Sequence, residues 1–119
     1  MKKDYRIKKE ADFRDIMSER QSFANRHLVV YIRKTSQPHF KVGLSVGKKV
    51  GNAVERNRVK RLLRLSLKQM KPQIINDLEF VLIARPAIKN LSYEEVQKNV
   101  RHVLNLAGVV IEEKENKGA

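Results

Sequence analysis

The segment from residue 48 to residue 64, KKVGNAVERNRVKRLLR, contains residue types that bind a polyanion. Two lysines and a short Gly51-Asn52 turn precede a run with helical spacing that holds five cations and one acid, Glu55. Gly and Asn allow a tight turn, and the free N–H groups of a helix's first turn favour phosphate. The segment therefore predicts a phosphate-binding helix.

At about 100° per residue, this basic helix has one apolar side and one polar side. The apolar residues are Val59, Leu62, Leu63, Leu67 and Met70. The polar residues are Asn57, Lys60, Arg61, Arg64 and Lys68, with Arg56 and Arg58 on the flanks. We expect the apolar side to pack and the polar side to bind the partner, together with Lys48, Lys49 and Asn52 at the turn. An ordinary amphipathic helix with a solvated basic side is the alternative.

Side chains that could act in catalysis are scattered. The chain has no cysteine, and its three histidines lie far apart without paired carboxylates at metal-ligand spacing. Asp12, Asp15 and Glu19 share one side of the first predicted helix and could bind Mg²⁺, but their neighbours are basic and no second acidic cluster accompanies them. We therefore predict no catalytic residue and no metal bound by the protein, with a metal-dependent nuclease as the weaker alternative.

The positive charge is concentrated in the first part of the chain. Up to Lys68 there are 19 Lys and Arg against 6 Asp and Glu, a net of +13, whereas the remainder has 7 of each. A one-sided excess concentrates phosphate chains and speeds their association. Nucleic acid is the predicted partner. A membrane is not, because no stretch is long enough to span a bilayer and the basic helix lacks Trp and Phe on its apolar side.

The elements that must position these residues follow from periodicity. A helix is predicted over 10–19, strands over 27–34 and 40–47 joined as a hairpin, and a central strand over the apolar run 80–84. The basic helix should end near Lys71, before Pro72. A capping box at 92–95 opens a last helix that Gly108 ends. This order predicts an α+β sandwich with helices on one side of a sheet whose other face is at least partly open.

At 119 residues the chain forms one predicted domain, 1–119, with 112–119 as a disordered tail. The charged start is not followed by an apolar signal core, so we expect a cytoplasmic protein. An open sheet face beside a basic helix would suit single-stranded nucleic acid, with bases stacked on aromatic rings. Tyr31 and Phe13 are the candidate rings, and core packing is the alternative for each.

Residues 43–64, GLSVGKKVGNAVERNRVKRLLR, resemble the signature of the protein subunit of bacterial ribonuclease P. Further segments agree with the family's pattern, and together they cover nearly all of the chain except the tail. These segments are Arg6-Ile7-Lys8-Lys9, Asp12-Phe13, Ser22 to Arg26, Val29 to Ile32, and Ile83-Ala84-Arg85.

The resemblance implies a protein component of a ribonucleoprotein that removes the 5′ leader from precursor tRNA. In that family the RNA is the catalyst, so the implied partners are the catalytic RNA and precursor tRNA, with Mg²⁺ in the holoenzyme and no obligatory protein partner. The implied fold is a two-layer α/β sandwich with a mixed four-stranded sheet and a left-handed βαβ crossover. Handedness rules alone favour the opposite sense.

The resemblance also implies roles for individual residues. Contacts to the catalytic RNA are expected from Arg56, Asn57, Arg58, Lys60, Arg61 and Arg64. The leader is expected in a cleft between the sheet and the first helix, lined by Phe13, Met17, Tyr31 and Arg85. Met17 stands where the family often has Phe, although a thioether can pack on a base. Pro86 directly follows Arg85, where the family often has a further cation.

Two other classes of protein would share some of these features. A ribosomal or general RNA-binding protein would have the same charge and open sheet face, and the identity of the bound RNA would distinguish it. A helix-turn-helix DNA-binding protein needs a short helix just before the basic one, whereas residues 40–47 alternate like a strand.

Overall fold

The computed structural model describes residues 3–111, and the predicted tail at 112–119 lies outside the described residues. It confirms an α+β fold with a mixed four-stranded sheet. The helices are α1 (Glu10–Ser18), α2 (Ala53–Met70) and α3 (Tyr93–Leu106), and the strands are β1 (Ser22–Ala24), β2 (Leu28–Lys34), β3 (Lys41–Ser45) and β4 (Leu78–Ala84). Short 3₁₀ turns span Lys3–Tyr5, Lys71–Gln73 and Pro86–Asn90.

The sheet order is β1-β2-β4-β3, which corrects the predicted hairpin between the strands at 27–34 and 40–47. β4 lies between β2 and β3, antiparallel to β2 and parallel to β3. The apolar run of β4 explains this order, because a strand that is buried on both faces belongs in the centre of a sheet. The sequence analysis did not identify β1, whose three residues are all exposed.

The helix α2 connects β3 to its parallel neighbour β4, so these three elements form the implied βαβ unit. Its left-handed sense stays an implication of the resemblance. Both predicted helix starts are confirmed. The predicted capping box pairs Ser92 with Glu95, and α2 begins with a second one, Asn52 with Glu55, which the sequence analysis did not identify. The last helix is followed by Gly108 at φ +73°, a conformation that glycine adopts without strain.

The two faces of the sheet are covered differently. The main core lies between the sheet and α2 and α3, and it includes Phe80, Leu82, Leu63 and Val100. On the opposite face α1 packs against β2 and β4, where a small cluster of Ile7, Ile16 and Val81 is buried and Phe13, Tyr31 and Ile83 pack around it. The face predicted to be at least partly open is thus partly covered by α1, which leaves a groove beside that helix.

Candidate nucleic-acid interface

The basic helix, α2, presents its polar side to solvent as predicted. Its exposed polar residues are Asn57, Arg61, Arg64 and Lys68, and the preceding turn exposes Lys48, Lys49 and Asn52. Arg56 and Lys60 are half-buried. The capping box holds the first turn of α2, with the Glu55 N–H donating to Asn52 Oδ1 at 2.9 Å and the Asn52 N–H donating to Glu55 Oε1 at 2.8 Å.

One edge of α2 borders a groove of about 280 Å³, which we call the cation groove. Its charged residues are Lys60 and Arg64 from α2 and Arg6 and Lys8 from the N-terminal arm, residues 3–8. Its apolar lining comes from Ile7, Val42, Leu44 and Leu67. Within residues 3–111, none of the four cations forms an ion pair with an acid. Four uncompensated cations around one groove create a positive potential that attracts phosphate.

Arg58 lies on the other flank of α2 and differs from its neighbours. Its guanidinium donates to the carbonyl oxygens of Lys89 at 3.3 Å and Leu91 at 3.0 Å, both in the segment before α3. Close by, Lys89 Nζ is 3.1 Å from Glu55 Oε2. The structure therefore uses Arg58, predicted as an RNA contact, to hold α2 against the start of α3.

The pKa of Glu55 is lowered from its ordinary value. The first cause is the hydrogen bond from the Asn52 backbone N–H, and the second is the contact with Lys89. Both interactions favour the charged carboxylate. The ionised form of Glu55 thus links the first turn of α2 to the segment before α3.

A second groove, of about 500 Å³, opens between α1 and β3, and we call it the aromatic groove. Phe13, Met17, Leu44 and Ser45 line it, with Lys8, Glu10 and Arg14 at its charged rim. Because Lys8 and Leu44 also line the cation groove, the two grooves adjoin. Phe13 and Met17 are therefore brought together as predicted, next to cations of the arm and α2.

Tyr31 and Arg85 are placed less directly. Tyr31 is half-buried on the α1 side of the sheet, where it packs with Phe13 around the Ile16 cluster and pairs with Val81 of β4. Arg85 is exposed just beyond β4, and its Nη1 donates to the Asn25 carbonyl oxygen at 3.2 Å. Tyr31 shares the sheet face of the aromatic groove, whereas neither residue belongs to that groove's lining.

The acids of α1 do not assemble a metal site. Among the described residues, no group of three or more His, Asp or Glu side chains is arranged to hold a metal ion. Glu19 instead lies 4.0 Å from Arg33, which bonds Glu79 at 2.6 Å across the sheet. This contact with Glu79 is the first cause of a raised pKa for Arg33, so these charges form a structural network.

The histidines also have structural partners. His27 Nδ1 lies 3.0 Å from Asn99 Oδ1, and His102 Nδ1 lies 3.2 Å from Asn25 Nδ2. His39 stacks on Tyr5. The sequence analysis missed the contribution of Arg6 and Lys8 to the groove beside α2, because only the packing of the arm against β3 shows which way its cations lie.

These features define a class of protein, an α+β nucleic-acid-binding domain in which a basic helix borders the cation groove and the aromatic groove adjoins it. Residues 1–108 match the family model described as Ribonuclease P, and the chain belongs to this family. It is 54% identical over 111 residues to the ribonuclease P protein component of Enterococcus faecalis, covering 92% of this chain and 94% of the relative. The corresponding protein of Lactococcus lactis subsp. cremoris is 52% identical over 112 residues, covering 94% and 95%.

Solved structures agree with the sequence relatives. The RNase P protein of Staphylococcus aureus matches with a TM-score of 0.82 and 42% identity, covering 89% of this chain and 97% of that one. The RNase P protein of Thermotoga maritima matches with a TM-score of 0.78 and 27% identity, covering 85% and 96%. The family supplies the protein subunit of an RNA-based endoribonuclease that matures the 5′ end of tRNA, so RNA is a partner of this chain. No helix in the described residues is long and apolar enough to cross a membrane.

Proposed function

We propose that the exposed side of α2 binds the catalytic RNA and that the aromatic groove, together with Tyr31 on the same face of the sheet, receives the 5′ leader of precursor tRNA. The observation that supports this division is the adjoining pair of grooves, which share Lys8 and Leu44. A single strand alternates flat bases with charged phosphates, and proteins bind it by stacking the bases while cations follow the backbone. Phe13 and Met17 offer surfaces for bases, and the cation groove offers partners for phosphates.

The catalytic RNA is assigned to the outward side of α2. Asn57, Arg61 and Lys68 are exposed on this side of the helix. The lysines of the preceding turn, Lys48 and Lys49, are exposed as well. A rigid helix presents these cations at fixed spacing, which suits the regular phosphates of a folded RNA. Lys60 and Arg64 lie at the boundary between this side and the cation groove, so they can contact either RNA.

The chemistry is assigned to the RNA partner. We propose that the holoenzyme's Mg²⁺ is held by RNA and substrate phosphates and that the protein needs no further protein partner. Residues 3–111 contain no group of side chains arranged to hold a metal ion, which supports the proposal that RNA and substrate phosphates hold the Mg²⁺. Since tRNA maturation is the family's role, the cytoplasm is the proposed location.

Leader binding is tested with the reconstituted holoenzyme and two ligands, precursor tRNA and mature tRNA without a leader. Tyr31→Ala should weaken binding of the precursor by about 1 to 3 kcal/mol, the usual effect of losing one stacked base, and should leave mature tRNA unchanged. Tyr93→Ala is the matched control, because Tyr93 is also half-buried but packs on the main core. Equal losses for both ligands, together with a lower melting temperature, would assign Tyr31 to packing alone.

A general RNA-binding protein predicts a different result. Such a protein would bind unrelated folded RNAs as tightly as the catalytic RNA at the same salt concentration, since phosphate contacts alone carry little sequence information. We expect the catalytic RNA to be preferred in direct competition.

A further inference from the structure

Tyr5 joins three parts of the protein at one point. Its ring stacks on His39 with 3.9 Å between centroids, meets the edge of Phe40 at 5.1 Å, and lies 4.1 Å from Lys71 Nζ. His39 and Phe40 come just before β3, and Lys71 comes just after α2. Ring stacking and the cation–π contact therefore attach the arm to both of these elements. These are the elements that form the other walls of the cation groove.

Arg6 lies between two anchored residues. On one side Tyr5 is held as described, and on the other Ile7 is 8% exposed and its N–H donates to a carbonyl oxygen of β3 at 2.9 Å. The Arg6 N–H also donates to the Lys3 carbonyl oxygen at 3.0 Å. The backbone of Arg6 is thus fixed from both sides, whereas its side chain is exposed and borders the cation groove.

We propose that Tyr5 is a positioning residue, which holds Arg6 beside Lys60 and Arg64 so that the cation groove is preformed for an RNA backbone phosphate. The inference rests on the proposed function, because the ligand of the groove is RNA. Without the Tyr5 contacts, the start of the arm would be free to move, and binding would have to order it. Ordering a side chain and its backbone on binding costs conformational entropy, which a preformed site avoids.

The test compares Tyr5→Ala, Arg6→Ala and the double variant with the unmodified protein. Affinity is measured over a series of salt concentrations in two experiments, one with protein and the catalytic RNA alone, the other with holoenzyme and precursor or mature tRNA. The salt slope is the slope of the logarithm of the binding constant against the logarithm of the salt concentration. Arg6→Ala should lower the magnitude of the salt slope by about 1 in the experiment whose RNA supplies the bound phosphate, since one cation–phosphate contact is lost. Tyr5→Ala should lower the same slope by a similar amount, and the double variant should show no further loss. Tyr5→Phe keeps the ring and should behave like the unmodified protein.

Two outcomes would overturn the proposal. If Arg6→Ala leaves the salt slope unchanged in both experiments, Arg6 binds no phosphate. If Tyr5→Ala weakens binding as much in the Arg6→Ala background as in the unmodified one, Tyr5 acts independently of Arg6. Should Tyr5→Ala fail to fold, His39→Ala removes the stacking partner instead and should lower the slope only when Arg6 is present. Arg61→Ala separates this inference from the proposed function, in which Arg61 contacts RNA without the N-terminal arm. A lowered salt slope for Arg61→Ala beside an unchanged one for Arg6→Ala would overturn this inference alone.

Discussion

The ring of Phe13 lies directly over Gly43 of β3. A Cβ atom built on Gly43 would be 2.6 Å from Phe13 Cζ and 2.8 Å from Cε2, closer than non-bonded carbon atoms approach. Glycine at this position therefore lets α1 place an aromatic ring against the sheet, at the wall of the aromatic groove. Gly43 pairs with Val81, and Val81 pairs with Tyr31, so the two predicted leader-binding rings lie along one row across the sheet.

Gly43→Ala should displace the Phe13 ring and weaken binding of precursor tRNA. The loss should fall within the range of about 1 to 3 kcal/mol for one stacked base, with mature tRNA little affected. Gly47→Ala is the matched control, since a Cβ there meets no atom within 4 Å. In a Phe13→Ala background, Gly43→Ala should have no further effect on precursor binding. A full additional loss in that background would show that Gly43 acts by another route.

Arg58→Ala should lower the stability of the protein, whereas Arg61→Ala should weaken its binding to RNA. Arg58 donates to two backbone carbonyl oxygens, so Arg58→Ala should lower the free energy of unfolding by about 1 to 3 kcal/mol, the scale of losing hydrogen bonds from a charged donor. Arg61 is exposed, and Arg61→Ala should leave stability unchanged but lower the salt slope of binding to the catalytic RNA by about 1. Denaturant unfolding and salt titrations measure both effects. An Arg58→Ala protein of unchanged stability with a reduced slope would instead support Arg58 as the phosphate contact that the sequence analysis expects.

Much of this architecture could be predicted from local sequence patterns. The boundaries of α2, the central position of β4 and the capping box of α3 follow from periodicity and from short-range hydrogen bonding. The pairing of β3 could not be predicted, because residues 35–40 look like a hairpin turn and the apolar run of β4 does not indicate which strands lie on either side of it. The different roles of Arg58 and Arg61 could not be predicted either, because the carbonyl oxygens that Arg58 contacts belong to the distant segment 86–91.

The pH dependence of stability should include a contribution from Glu55. Its pKa is lower in the folded protein than its ordinary value, first because of the Asn52 N–H and then because of Lys89. A lowered folded pKa gives stabilisation that is complete above the unfolded value of about 4.3 and is lost as pH falls through the folded value. Melting temperatures measured from pH 6 down to about 3 should therefore fall more steeply for the unmodified protein than for Glu55→Gln, the uncharged variant of similar shape. Parallel curves for the two proteins would contradict the contribution.

Without the catalytic RNA, the protein should not cut precursor tRNA. The described residues contain no cluster that could hold a metal ion, and the three histidines are engaged by Asn99, Asn25 and Tyr5. Added to the catalytic RNA, the protein should lower the Mg²⁺ concentration needed for half-maximal cleavage, because its cations neutralise phosphates that would otherwise require Mg²⁺. Both predictions are measured as cleavage of labelled precursor tRNA over a series of Mg²⁺ concentrations. The reactions contain protein alone, RNA alone, or both together. Cleavage by RNA-free protein that is lost on Asp12→Asn or Asp15→Asn would instead assign the chemistry to the acids of α1.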